Sequence, residues 1–240
     1  MNKRTLKILS YTFYTAAFLC IAAMCANALG ITDLGHGGKI AAGFIAVISG
    51  YAASYFTALC AAPKKRYSII KSTVIFIFVF YIIVLVDFTL IDDNLGRNIF
   101  NIYNWNTTAF SDYINRNTNI VPFATVRLFI NAVKTSALPL YAVLENLLGN
   151  LAAFMPLPFF LPCLFKRFNN WYSVLITVLL SVITVEMLQL LFLTGSSDID
   201  DVILNTAGAM LLYGVLRIKG VSRFISKITF GVWETENGKD

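Results

Sequence analysis

The chain has 240 residues, a mean hydropathy of +0.70, 58% hydrophobic residues and 13% charged residues, against roughly 25% charged in a soluble domain. With its apolar residues gathered in long blocks, its composition points away from a soluble globular enzyme, a disordered chain, a collagen and a disulfide-rich secreted fold. The net charge of +6 comes without a basic run interleaved with aromatics, so it fits the cytoplasmic loops of a polytopic membrane protein and not a nucleic-acid groove.

Taken in chain order, the apolar runs predict an all-α, polytopic transmembrane helical bundle of about six spans, near 8–30, 40–62, 69–91, 141–165, 171–193 and 202–218, since a spanning helix needs about 20 apolar residues. Sheet-like alternation is absent, which excludes an outer-membrane barrel. Lys3, Arg4, Lys7 and Ala26-Asn27-Ala28 imitate a signal peptide. The apolar stretch between them exceeds the roughly 7–15 residues of a signal core, so an uncleaved first helix is expected. Gly35-His36-Gly37-Gly38 reads as a solvated turn before the second run. Cys20, Cys25, Cys60 and Cys163 all lie in apolar runs without a C-x-x-C pair and read as packed free thiols.

Fourteen of the 19 Lys and Arg fall in one set of alternate connections, around Lys3, Lys65, Lys166 and the 217–239 tail. That asymmetry predicts both termini in the cytoplasm, and the basic tail is suited to anionic lipid. The domain organisation expected is three spans over 1–92, an extracytoplasmic Asn-rich loop over 93–118, a second membrane domain over 119–218 and a cytoplasmic basic tail over 219–240. Within the second domain, Pro122 favours a helix start near 122. That helix would lie in the outer interface, because its run is short and carries Arg127 and Lys134. Pro156, Pro158 and Pro162 should bend the fourth run.

Polar side chains in a bilayer are costly, at about 2.5–3.5 kcal/mol for a central charge, and need a reason. Asp87, Glu145, Asn146, Asn150, Glu186, Gln189 and Asn205 all fall toward the outer half by this topology, with Glu186 about 10 Å deep. Asn146/Asn150, Glu186/Gln189 and Asp201/Asn205 are spaced three or four apart, so each pair shares a helix face. Two readings follow: hydrogen-bonded glue between helices, and a shared polar pocket with Asp198 at its margin. Asp198, Asp200 and Asp201 before the sixth run suit a helix N-terminus. They are also the residues that could hold Mg²⁺ or Ca²⁺, although no cofactor is otherwise indicated and the residues point away from an enzyme.

These same residues carry a resemblance. Asn146, Asn150, Phe154 and Pro156 resemble the N-x-x-x-N-x-x-x-F-x-P-x-G segment of VanZ-like membrane proteins. Glu186 and Gln189 resemble their E-x-x-Q helix. Asp198, Asp201, Asn205 and Gly208 resemble their D-[IL]-x-D-x-x-x-N-x-x-G element, and Asn119-Ile120-Val121-Pro122-Phe123 resembles their N-x-[IV]-P-F start. The likeness covers about 119–215. It departs at Pro158, where the family has Gly, and at Gly195-Ser196-Ser197, where an Arg is common. The resemblance implies a multi-pass protein of the bacterial cytoplasmic (inner) membrane, working in the cell envelope, whose founding member is linked to teicoplanin resistance. The expected partner is a membrane lipid or lipid-linked cell-wall precursor, with no nucleic acid. The alternatives are a proton- or ion-coupled transporter using Asp87, Glu145 and Glu186, a metal-dependent lipid-modifying enzyme using the three aspartates, and a scaffold.

Overall fold

In the computed structural model, which describes residues 2–92, 97, 103 and 106–233, the chain is about 81% helical and 2% strand. Among the described residues, six helical stretches are long and apolar enough to cross a membrane: Lys3–Ala28, Gly37–Cys60, Pro63–Ile91, Leu140–Leu164, Trp171–Leu191 and Ile199–Arg217. The chain is thus an all-α, multi-pass membrane protein, as its hydropathy predicts. Asn94, Asn98, Asn101 and Asn104 of the Asn-rich loop, and Lys239 of the tail, lie outside the described residues. The chain divides into two compact units, Met1–Val84 with Ser222–Asp240, and Leu85–Val221.

In the first unit, α1 (Lys3–Ala28) packs along α2 (Gly35–Cys60). The Gly35–Gly38 stretch, expected as a turn, forms the first turn of α2. Small residues let the backbones approach, as lipid-immersed helices require: Ala46, Ala53 and Ala58 are buried on α2, and Ala17 on α1. Hydroxyls supply the cross-links. Ser10 Oγ donates to the Ala53 carbonyl at 3.1 Å and lies 2.7 Å from Thr57 Oγ1, while Tyr14 Oη lies 3.2 Å from Ser54 Oγ. α3 (Pro63–Val86) completes the N-terminal part. The C-terminal segment is fastened by Tyr51, whose hydroxyl donates to the Ile228 carbonyl at 3.1 Å, and by buried Trp233, whose Nε1 donates to Ser222 Oγ.

The second unit opens on a π-helical turn, Asp87–Ile91. α4 (Thr107–Asn117) and α5 (Ala124–Lys134) follow, the latter on the segment expected to lie as an interfacial helix. The fourth span is broken, not merely bent: α6 (Leu140–Ala153) ends and α7 (Leu157–Leu164) begins around Pro156. Pro156 has no N–H to return to the Ala152 carbonyl, which instead accepts from Met155 N at 3.1 Å. α8 (Trp171–Leu191) and α9 (Ile199–Arg217) pack together, and α6 packs on α9. At that crossing a Cβ on Gly208 would overlap the Leu151 carbonyl, so only glycine permits the approach. α10 (Lys219–Ile228) ends the helical order. Two short strands, β1 (Thr118–Asn119) and β2 (Ser197–Asp198), pair in parallel with Asn119 opposite Asp198.

Candidate functional site

The buried face of α8 changes chemistry along its length. Val174, Val178, Val182, Glu186 and Gln189 form one buried stripe, apolar at its start and polar at its end. A stripe facing protein over its whole length must find partners where it turns polar. Glu186, 6% exposed, accepts from the Asp198 backbone N–H at 3.1 Å. Gln189 turns away to donate to the Thr89 carbonyl at 2.9 Å in the π-helical turn.

The β1–β2 pairing explains how Asp198 is held. Setting Asn119 opposite Asp198 lets Asn119 Nδ2 donate to Asp198 Oδ1 at 3.0 Å. The same oxygen caps α9 by accepting from Asp200 N at 2.9 Å, and the other oxygen accepts from Thr125 Oγ1. Asp198 thus has three donors, each a charge-assisted bond of the stronger kind. Asp200 serves a different helix. Its two oxygens accept from the backbone N–H groups of Phe123 and Val126, so it caps the N-terminus of α5 from across the fold. Phe123 sits in the left-handed region at φ 63°, at a cost on the order of 1 kcal/mol. A carboxylate on the helix N-terminus offsets that cost. Asp201 takes a third direction, accepting from Asn150 Nδ2 of α6, while its carbonyl accepts from Asn205 Nδ2 at 2.8 Å.

These geometries give each of the three aspartates its own partners. Asp198, Asp200 and Asp201 are turned to three different sets of donors. Among the described residues no group of three or more His, Cys, Asp or Glu side chains is arranged to hold a metal ion. The pocket residues also divide. Asn150 of α6 and Asn205 of α9 both bond to Asp201, Glu186 of α8 bonds separately to the Asp198 N–H three residues before Asp201, and Gln189 is buried on its own bond. Glu145 and Asn146 are exposed side chains on α6. Asn146 shares a helical spacing with Asn150, but only Asn150 is seen to reach Asp201.

Several participants carry no local signal. Thr125 and the Thr89 carbonyl are reached only by folding. Arg97 donates from Nη1 to the Thr194 carbonyl at 3.2 Å, and its Nε is buried with no hydrogen-bond partner. It stands near enough for its charge to act on Glu186 and Asp201. A Cβ on Gly195 would overlap its guanidinium. Gly195 therefore leaves room for an arginine that arrives from far up the chain, beside the stretch where the resembling family carries its own. Tyr113 donates to the Gly195 carbonyl at 2.7 Å, and burial pushes its phenol above the usual value, keeping it a donor. Asn205 is 4% exposed, and its Oδ1 has no hydrogen-bond partner.

A family model described as VanZ/LLP1 matches residues 78–220, more than half of the chain. The match takes in all four motifs, and it starts early enough to include Thr89, Arg97 and Tyr113. No curated protein and no solved structure matches the chain. The chain belongs to the VanZ/LLP1 family.

Proposed function

We propose that this VanZ/LLP1 membrane protein works in the bacterial cell envelope. In this reading the cluster of Asn150, Glu186, Asp201 and Asn205 holds the polar part of an outer-leaflet lipid-linked molecule, either a cell-wall precursor or a lipoglycopeptide of the teicoplanin type. The observation that carries it is the buried Asn205 Oδ1 with no partner, one helical turn from Asp201. Leaving a buried acceptor unpaired costs about 1–3 kcal/mol, and native proteins leave few. A ligand rich in hydroxyl and amide donors recovers that energy, and the neighbouring carboxylates favour the same kind of ligand. Arg97, with an unpaired Nε, offers a donor to an acceptor group on such a molecule. The asymmetry of Lys and Arg supports both termini in the cytoplasm, which sets the cluster toward the outer leaflet of the inner membrane.

The test uses a host in which the unmodified chain gives a measurable change in growth with a lipoglycopeptide. Glu186→Gln keeps an oxygen for the Asp198 N–H but loses the acidic group. It should abolish the growth effect at nearly unchanged membrane abundance. An active Glu186→Gln variant would return the residue to a packing role. For orientation, reporters fused at Lys65 or Lys166 should read cytoplasmic, and an external signal at Lys166 would overturn the topology.

A further inference from the structure

The first unit holds a cavity of about 400 Å³ bounded by faces of α1, α2 and α3. Its lining includes the small residues Ala17, Ala46 and Gly50, the first two buried, and the exposed rings of Phe18 and Phe76. A second cavity of about 230 Å³ lies between α1 and α2 nearer their other end, at Lys7, Ser10, Thr57 and Cys60. Tyr14 lines both.

The two cavities follow one helical stripe. On α1 the lining runs Lys7, Ser10, Tyr14, Ala17, Ile21, and on α2 it runs Thr57, Ser54, Gly50, Ala46, both at the three-to-four-residue spacing of one face. Polarity falls along the stripe. A cation stands at the end of the span, hydroxyls follow, and beyond Tyr14 and Ser54 the α1 and α2 lining is apolar. At 1.5 Å per residue, Lys7 to Ile21 covers about 21 Å, enough for a lipid phosphate at the surface and a chain reaching through the roughly 15 Å of one leaflet. A water-soluble ligand would leave the apolar half unmatched, and a neutral one would leave Lys7 unused.

We propose that α1, α2 and α3 bind one anionic phospholipid, its phosphate at Lys7 and one acyl chain in the cavity lined by Ala17, Ala46 and Gly50. The lipid fills space that the side chains leave between α3 and the α1–α2 pair, so it acts as a packing element of this unit. The proposal is independent of the polar cluster, since none of its residues belongs to it.

The test is native mass spectrometry of the full chain released from detergent micelles and titrated with phosphatidylglycerol or phosphatidylcholine, beside the thermal unfolding midpoint of each variant. One phosphatidylglycerol should bind ahead of all others and ahead of phosphatidylcholine. Lys7→Gln should weaken it about fivefold, the effect of one charge near a lipid surface, and remove the preference over phosphatidylcholine. Ser72→Leu, an exposed residue on the α3 wall, should abolish the tight site for both lipids. Unchanged phosphatidylglycerol affinity in Lys7→Gln, or a retained tight site in a folded Ser72→Leu, overturns the proposal. Should Ser72→Leu unfold, phosphatidylglycerol with a diazirine in its acyl chain decides on the unmodified protein. Labelling concentrated on the Tyr14–Ile21 and Ser72–Phe80 peptides supports the site. Equal labelling of the exposed Phe44 and Ile48 face of α2 overturns it.

Discussion

The two units solve the same problem differently. Both are built from helices too apolar to be driven together by lipid-facing surface, so packing depends on small residues and polar contacts. In the second unit the polar contacts are carboxylates and amides, each with a defined partner on another element: Glu186 with β2, Asp201 with α6, Asp200 with the start of α5, and Asp198 with Asn119 and Thr125. In the first unit they are hydroxyls bonded across one helix pair, and α3 stands off behind a cavity. A carboxylate costs too much to bury unpaired, so it dictates where its neighbours must be. A hydroxyl that can return to its own helix, as Thr57 does to the Ala53 carbonyl at 2.9 Å, constrains far less.

Removing the most connected carboxylate should break this contrast hardest. Asp198→Ala removes an acceptor from the Asn119 amide, the Thr125 hydroxyl and the Asp200 N–H at once, and should cost about 3 kcal/mol or more, read as lost membrane abundance and a lower unfolding midpoint in detergent. Next comes Gly208→Val, which drives a side chain into the Leu151 carbonyl and should cost about 1–3 kcal/mol in the same assay. Asp200→Ala removes the cap of α5 and should cost about 1 kcal/mol, with faster amide hydrogen exchange confined to Ala124–Lys134. In the first unit, Tyr14→Phe deletes one hydroxyl contact and should cost about 0.6 kcal/mol, the average for membrane hydrogen bonds. A loss as large as that of Asp198→Ala would erase the distinction between the units. Asn146→Ala, on an exposed site, should stay within about 0.5 kcal/mol, and a larger loss would put Asn146 back into the cluster.

The helical, multi-pass class was legible from the apolar runs alone, because a bilayer admits few other solutions to backbone hydrogen bonding. The motifs also placed Asn150, Glu186 and Asn205 on the helices where they are found. Helical spacing named the face of Asn146 and Asn150 but not which of the two would find a partner, since that depends on the crossing of α6 and α9 at Gly208. The three clustered aspartates likewise reach separate partners, because nearness along the chain says nothing of where each carboxylate points.

The sequence by itself determined which segments enter the membrane and which side chains there demand partners, because hydropathy and charge are summed locally. Only the tertiary structure decided the partners. Arg97 meets the 194–195 turn across nearly a hundred residues, and Asp200 caps a helix that starts far earlier in the chain. Asn119 finds Asp198 through a two-residue strand too short to leave a pattern. The cavity of the first unit likewise exists only between three helices, since the volume left by an alanine or a glycine depends on what stands opposite it.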